Sequence, residues 1–546
     1  MAPHFADLFE HAADAFPGRV AVICGQERVT YAELEERVNR LAHCLKGGGV
    51  GPGDHVGLFA RNSIPAVETI LAACKLRASP VNINYRFTET ELRYMLADAD
   101  PVALVHDQEL TPLVWAAAGS APSLQTTVTV GDGAPASHAG HTELTYDEAL
   151  ARGSAERDFG PRSADDVYLI YTGGTTGYPK GVMWRHEDIW RTLAGGIDFA
   201  TGVPLPDERA QVRAGQQSGG AVRLNVAPLI HGAAQVSVLG GLFCGDTVVL
   251  MRRFDADEIW RAVGAHRVAT AMVIGDAMAR PLIDAYRASA ETGFPCDASS
   301  LVVVTSSGAL FSAGVREECA RALPGVVFTD AVGSTETGFT GMGLAGGGGT
   351  STGTADRGGP TVRPGPGTIV IRDDNRPAGP GETGRLGRGG HVPLGYYKDP
   401  GKTAALFTDV GGVRYAVPGD LARVEEDGSI TLLGRGSTCV NTGGEKVFPE
   451  EVESALKSHP DVFDAVVVGL PDERLGQRVA ALIAPRPGRE IDLAALTEYA
   501  RGHIAGYKIP RSVWLVNALS RTVTGKPDYG WARLHAQRHA PDQSIP

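Results

Sequence analysis

A chain of 546 residues, 43% of them hydrophobic and 21% charged, carries enough apolar material for a large packed core and lacks the charge bias of a disordered chain. Its 51 basic and 63 acidic residues leave a net charge of −12, which argues against a nucleic-acid partner and against an anionic membrane surface, while a local basic patch remains open to phosphate. The cysteines at 24, 44, 74, 244, 296, 319 and 439 lack Cys-x-x-Cys spacing and read as reduced thiols, neither a disulfide framework nor a metal site. The N-terminus shows no basic segment followed by an apolar core, and no apolar run reaches the ~18–20 residues that cross a bilayer, so a cytoplasmic protein without an integral membrane segment is expected.

From residue 20 to 106, short apolar runs alternate with helical patterns. Val20–Cys24 precedes Thr30-x-x-Glu33, a capping box that opens a helix. Val56–Ala60, a helix near 64–76 and Pro80–Ile83 follow, then Thr88-x-x-Glu91 opens another helix before Val102–His106. Strand–helix repetition of this kind predicts parallel sheets flanked by helices, and similar strands recur at 224–227, 247–251, 270–274 and 301–305. The Gly/Pro/Thr-rich segment 340–367 reads as loop. After Arg435 the pattern changes to a helix near 449–458, strands at 464–470 and 478–485, a helix at 492–504 and a strand near 513–517. The fold class expected is α/β: a large multi-lobed N-terminal domain over 1–434 and a small mobile α+β C-terminal domain over 438–546, with a hinge at 435–437.

Residues 171–181, Tyr-Thr-Gly-Gly-Thr-Thr-Gly-Tyr-Pro-Lys-Gly, are the most informative stretch. Its glycines and threonines offer backbone and hydroxyl donors that can wrap phosphate oxygens, and Lys180 adds a positive charge. The loop leaves the apolar run Val167–Ile170, read as a buried strand of an α/β sheet, where such sheets bind ligands. A flexible surface turn would not require Pro179-Lys180-Gly181. The stretch is no Walker A sequence, and the near-match from Gly395 to Gly401-Lys402-Thr403 lacks a preceding strand and reads as chance. Further on, Asp330-Ala-Val-Gly-Ser-Thr335-Glu336 puts a hydroxyl and a carboxylate at a strand exit, suited to an Mg²⁺–phosphate complex. Pro418-Gly-Asp420, Gly434-Arg435, Thr442-Gly-Gly-Glu-Lys446 and Arg521-Thr-Val-Thr-Gly-Lys526 complete the set, with Pro228-Leu-Ile-His231-Gly232 between. A Gly-Asp pair, a tail lysine or a lone histidine is by itself more often structural; their joint order carries the signal.

In that order they resemble the adenylate-forming superfamily of acyl- and aryl-CoA synthetases, luciferases and peptide-synthetase adenylation domains, and look most like actinobacterial acyl-CoA synthetases, some of which act on bulky acids such as steroid side-chain acids. The resemblance implies a ligase that converts a carboxylic acid to its CoA thioester through an acyl-adenylate, with ATP and CoA as co-substrates and Mg²⁺ as cofactor. By the same resemblance Thr172, Gly173, Gly174, Thr175, Thr176, Gly177, Lys180 and Thr335 hold phosphates and Glu336 the metal. Ser307, Gly308, Ala309, Asp330, Ala331, Val332, Asp420 and Arg435 surround adenine and ribose, and Ser437 is the hinge residue. Gly443 and Gly444 line the CoA channel, Lys526 is the catalytic lysine that swings in, and His231 lies beside the carboxylate. Gly232, Ala233, Gln235, Ile274 and Asp276 are the expected acyl pocket. Val332 departs from the family's Tyr or Phe; losing one base–aromatic stack of ~1–3 kcal/mol would weaken ATP binding roughly ten- to a hundredfold. That departure keeps open an enzyme competent mainly in thioesterification of a supplied acyl-adenylate. An adenylating enzyme that loads a carrier protein, a nucleotide-binding protein without turnover, and a homodimer also stay open.

Overall fold

The computed structural model describes residues 3–133, 142–172, 179–198, 201, 203–291, 296–309, 311–345, 360–435, 438–442, 445–472, 475–522 and 526–544. Strands Ser79–Asn82, His55–Phe59, Ala103–Asp107, Thr126–Val130 and Thr142–Thr145 lie in that order in a five-stranded, all-parallel sheet. Their near-continuous burial is that of strands covered on both faces. The capping boxes form as expected. Thr30 Oγ1 accepts from Glu33 N at 3.2 Å while the Glu33 carboxylate accepts from Thr30 N at 2.7 Å, starting the helix Tyr31–Gly47. Thr88 and Glu91 start Glu89–Ala99 in the same way. Removing such a cap costs about 1 kcal/mol.

Val20–Cys24, although first in the alternating series, joins a different sheet. It pairs in parallel with Thr247–Leu250, and the parallel run continues through Val222–Asn225, Thr270–Val273, Val303–Ser307 and Val327–Ser334. The chain then turns back antiparallel as Gly338–Ala345, which pairs with Thr361–Pro364, and the ladder continues into Ile430–Arg435 and Asp420–Val424. Within the segment read as loop over 340–367, the described residues 340–345 and 361–364 are therefore strand. Its glycines serve close packing: a Cβ at Gly341 would stand 2.7 Å from Arg363 O, and one at Gly343 3.0 Å from Thr361 O. The composition that usually marks a loop here permits a tight ladder.

From Val440 onward the strands form a separate six-stranded sheet, in which Val462–Asp472 and Gly476–Pro485 make a long antiparallel pair and Ser512–Leu515 adds in parallel. Helices Pro449–Lys457, Leu493–Arg501 and Tyr529–Arg538 cover it, and Val452, Leu456, Val467 and Ile483 form a core of its own. The large α/β domain and small α+β domain follow from these two independent sets of sheets. Among the described residues no helix is long and apolar enough to cross a membrane.

Candidate active site

The phosphate-loop strand Val167–Thr172 does not feed a helix. It pairs antiparallel with Lys180–Arg185 up to the rung Thr172–Lys180, in a three-stranded sheet apart from the parallel ones. The expected strand of an α/β sheet is thus one arm of a hairpin. Gly181 lets the arms close, because a Cβ there would meet Leu169 Cδ1 at 2.9 Å. The rung holds Thr172 opposite Lys180 at the hairpin mouth. Gly173, Gly174, Thr175, Thr176 and Gly177 lie outside the described residues.

Two further segments converge on this mouth. Thr335 and Glu336 sit in the turn between Val327–Ser334 and Gly338–Ala345, and Trp184 Nε1, from the hairpin, donates to Thr335 O at 2.9 Å. Gly395–Tyr396 pairs with the other edge of Lys180–Arg185, and Tyr396 Oη donates to Glu336 Oε1 at 3.0 Å. Lys180 Nζ stands 5.6 Å from the Tyr396 ring centre. Lys402, held 2.7 Å from Asp399, reaches the Lys180 ammonium from the helix Pro400–Leu406. Burial first, then Lys402, push the Lys180 pKa below its usual value. The stretch 395–403, read as chance, is no Walker loop, yet it brings Tyr396 and Lys402 to the phosphate lysine. Among the described residues no cluster of three metal-ligating side chains exists. A single carboxylate beside phosphate donors suits a magnesium ion that arrives on phosphates and keeps its waters.

On the nucleotide side, Ser307 and Ala331 are register partners, with Ser307 Oγ donating to Ala331 O at 2.9 Å. Gly308 follows at φ +79°, with nothing in the space a Cβ would take, and Ala309 packs against the main core. The Asp330 carboxylate is buried and paired to Arg316 at 2.6 Å. Burial lifts its pKa to about 7, against the pull of Arg316 and with a further rise from Asp276. Val332 O accepts from Thr340 Oγ1 at 3.0 Å, and its side chain is half-buried. Asp420 and Arg435 are partners on one rung of an antiparallel pair.

Asn82 ties this site to His231. Its Nδ2 donates to Tyr171 O at 2.9 Å and to Ile230 O at 2.6 Å, so the residues just before Thr172 and His231 share one side chain. His231 caps the helix Gly232–Phe243. Burial, then the nearby Lys526 and Arg86 charges, bring its pKa to about 4, so the ring is neutral at pH 7. The Lys526 charge is thus felt at His231; Thr522 N donates to Lys526 O at 2.7 Å, Lys526 N to Thr522 Oγ1 at 3.2 Å, and Arg521 bridges Pro527.

The expected acyl pocket is only partly gathered. Ala233 is half-buried on the first helical turn, and Gly232 is needed because a Cβ would meet Ile170 Cγ2 at 2.8 Å. Ile274 lies in the core cluster. The Gln235 amide accepts from Tyr168 Oη at 2.7 Å and donates to Leu229 O at 2.8 Å, buried in the core. Asp276 accepts from Ser312 N at 2.8 Å and lies 3.5 Å from Lys457 of the small domain. Ser437, Gly443 and Gly444 lie outside the described residues. Tyr396, Lys402, Arg316 and Arg86 are the contributors that sequence reasoning missed; only the Tyr396-Tyr397-Lys398-Asp399-Pro400 punctuation, a helix start after a short strand, could have flagged the first two.

Known proteins share the sequence and the fold. The AMP-binding enzyme family matches residues 9–397, and its C-terminal domain matches 451–526. The chain is 49% identical over 536 residues, covering 98% of it and 96% of the relative, to a 3-oxocholest-4-en-26-oate–CoA ligase of Rhodococcus rhodochrous. A medium/long-chain-fatty-acid–CoA/3-oxocholest-4-en-26-oate–CoA ligase of Mycolicibacterium smegmatis is 48% identical, covering 100% of the chain and 98% of the relative. Among solved structures, ATP-bound MatB from Rhodopseudomonas palustris superposes with a TM-score of 0.78 at 25% identity over 98% of this chain and 99% of its own. The anthranilate CoA ligase AuaEII with anthranoyl-AMP gives 0.81 at 23% identity, covering 98% of each chain, a likeness of fold. The chain belongs to the AMP-binding enzyme family, and it is an AMP-forming acid–thiol ligase that makes acyl-CoA.

Proposed function

We propose that the acid is bulky and apolar, of the sterol side-chain type, as the names of the full-length relatives suggest. The mechanism is supported by the Lys526 charge acting on the buried His231, with Asn82 joining the residues before His231 and Thr172. In the first half-reaction a carboxylate oxygen attacks the α-phosphorus of ATP, the bond to pyrophosphate breaks, and its electron pair leaves with pyrophosphate; no proton moves. Lys526 balances charge across carboxylate and α-phosphate, and Thr172 and Lys180 hold the outer phosphates, with residues 173–177 completing the loop. Glu336, aligned by Tyr396, would hold Mg²⁺, which when bound neutralises phosphate charge. Asp420 and Arg435 take the ribose, while Ser307 to Ala309 and Asp330 to Val332 flank adenine. The neutral His231 ring fixes the carboxylate as a hydrogen-bonding group.

In the second half-reaction the small domain, 438–546, turns about Ser437 within 435–437 relative to 1–434, and Lys526 withdraws. The CoA sulfur, as a thiolate whose proton has gone to solvent, then reaches the acyl carbon along Gly443 and Gly444, the bond to AMP breaks with its electron pair leaving on the AMP phosphate, and the thioester forms. Val332 supports a second reading, an enzyme weak in adenylation and strong in thioester formation. A panel of steroid side-chain acids and medium- and long-chain fatty acids, incubated with ATP and CoA and read by AMP release and thioester mass, tests the proposal. Turnover restricted to short or polar acids would defeat the substrate assignment.

A further inference from the structure

Between the two domains lies a group of buried charges that the reaction chemistry does not use. Asp276 and Arg280 belong to the helix Gly275–Glu291 of the large domain, and Lys457 ends the helix Pro449–Lys457 of the small one. Lys457 Nζ lies 3.5 Å from Asp276 Oδ2 across the interface and 3.6 Å from Asp464 Oδ1 in its own domain. Arg280 Nη2 donates to Lys457 O at 3.2 Å. Asp276, Arg280 and Lys457 are 6%, 1% and 4% exposed, so water does little to screen them. At the rim, Arg486 of the small domain meets Glu318 at 2.8 Å and Asp284 at 3.6 Å. A Cβ at Gly314 would stand 3.0 Å from Ser458 Cα, so the backbones approach closely at this point. Asp464, the second partner of Lys457, is also paired with Arg521, at the base of the turn that carries Lys526.

We propose that the Asp276–Lys457 pair is an interdomain clasp that selects the orientation with Lys526 in the site, and that Asp464 and Arg521 transmit the alignment to the lysine. The buried ammonium feels Asp276, Asp464 and, on its own helix, Glu453, and of these only Asp276 belongs to the other domain. Asp464 travels with the small domain; Asp276 is met only when that domain is docked as seen here. Buried ion pairs add little net stability over their solvated components, but they penalise misplacement strongly. Such a pair fixes one geometry without making it hard to leave, which suits a domain that must depart in every turnover. Asp276 and Lys457 are positioning residues: they act on the reaction through the placement of Lys526.

The inference rests on Lys526 as the adenylating lysine, so Lys526→Ala is run beside Asp276→Asn, Lys457→Met and the double variant. ATP–pyrophosphate exchange and thioester formation from supplied acyl-adenylate are measured separately, with thermal melting to confirm folding. Asp276→Asn and Lys457→Met should each lower exchange about tenfold while thioester formation stays within about twofold of the parent, and the double variant should lose no more than the worse single one, since the pair acts as one unit. Equal loss in both half-reactions, loss in neither, or losses that multiply in the double variant would each overturn the clasp. If Asp276→Asn melts early, Lys457→Met decides by the same criteria. Retained exchange in Lys526→Ala would instead remove the lysine assignment; its loss there, with the clasp variants unaffected, removes the clasp alone.

Discussion

The hairpin of Val167–Thr172 and Lys180–Arg185 and the segment bearing Lys526 belong to opposite kinds of structure. The hairpin is a matter of neighbours: its two strands pair rung by rung up to Thr172 and Lys180. The Lys526 charge acts on His231 from a separate domain, with its own sheet and core, which meets the large one through Asp276, Lys457, Glu318 and Arg486. The first grip is fixed by local backbone pairing, the second by long-range buried charge. On the proposed mechanism, a site that keeps the adenylate through both steps but exchanges a lysine for a thiol needs a rigid half and a removable half.

The sharpest way to break the comparison is Lys526→Ala. It should cost ~10²–10³ in adenylation, the usual loss for one preorganised charge donor, and leave thioester formation from supplied acyl-adenylate nearly intact. Equal losses would mean that the lysine half is not removable. On the rigid half, Val332→Tyr should lower the KM for ATP by up to about tenfold if one stacking contact of ~1–3 kcal/mol is supplied. An unchanged KM in a folded variant would show that adenine is held without that face, and the half-reaction reading would lose its support. Tyr396→Phe removes the donor to Glu336 and should raise the KM for ATP about fivefold, with little change in the second half-reaction, as expected for a loss of ~1 kcal/mol.

The smallest effect concerns stability and pH. His186, stacked on His4 with ring centres 3.8 Å apart, has its pKa brought to about 3 by burial, and His231 to about 4. Folded-state values below 6.5 mean that the unfolded chain binds more protons as pH falls from 6.5 towards 4, so these groups erode stability on acidification. Asp330, raised to about 7 by burial, acts in the opposite sense between its unfolded value and 7. Melting temperatures should therefore fall from pH 6.5 to 4.5, and His186→Asn, which keeps an acceptor for Phe5 N, should flatten that slope. A slope unchanged by His186→Asn would shift the cause to other groups.

The hairpin half was largely legible in the sequence and the lysine half was not. Capping boxes at Thr30 and Thr88 and the strand at Val167 are local signals, and the structure carries them within a residue or two. The family motifs named Thr172, Lys180, Glu336, Asp420 and Lys526. What escaped was pairing at long range: Tyr396 meets Glu336 across 60 positions, and Asp276 meets Lys457 from another domain. No period of 2 or 3.6 residues encodes such contacts. The pocket residues Asp276 and Gln235 were named with the family resemblance, which says nothing about the long-range partners that Lys457 and Tyr168 supply. The antiparallel return after Val167–Thr172 was missed for a related reason, since an apolar strand reads alike whether a helix or a second strand follows it.

The turn that carries Lys526 has one further consequence. Thr522 and Lys526 bond each other twice, and Arg521 bridges Pro527, so the described residues flanking 523–525 are tied together before any substrate arrives. Ordering a backbone costs about 1–2 kcal/mol per residue, and that entropy is lost when the small domain folds, not when the acid and ATP meet. Substrate binding is then asked only to favour one rigid-body placement over another. The lysine can be withdrawn and returned in each cycle as a preassembled tool, with its aim unchanged by the journey.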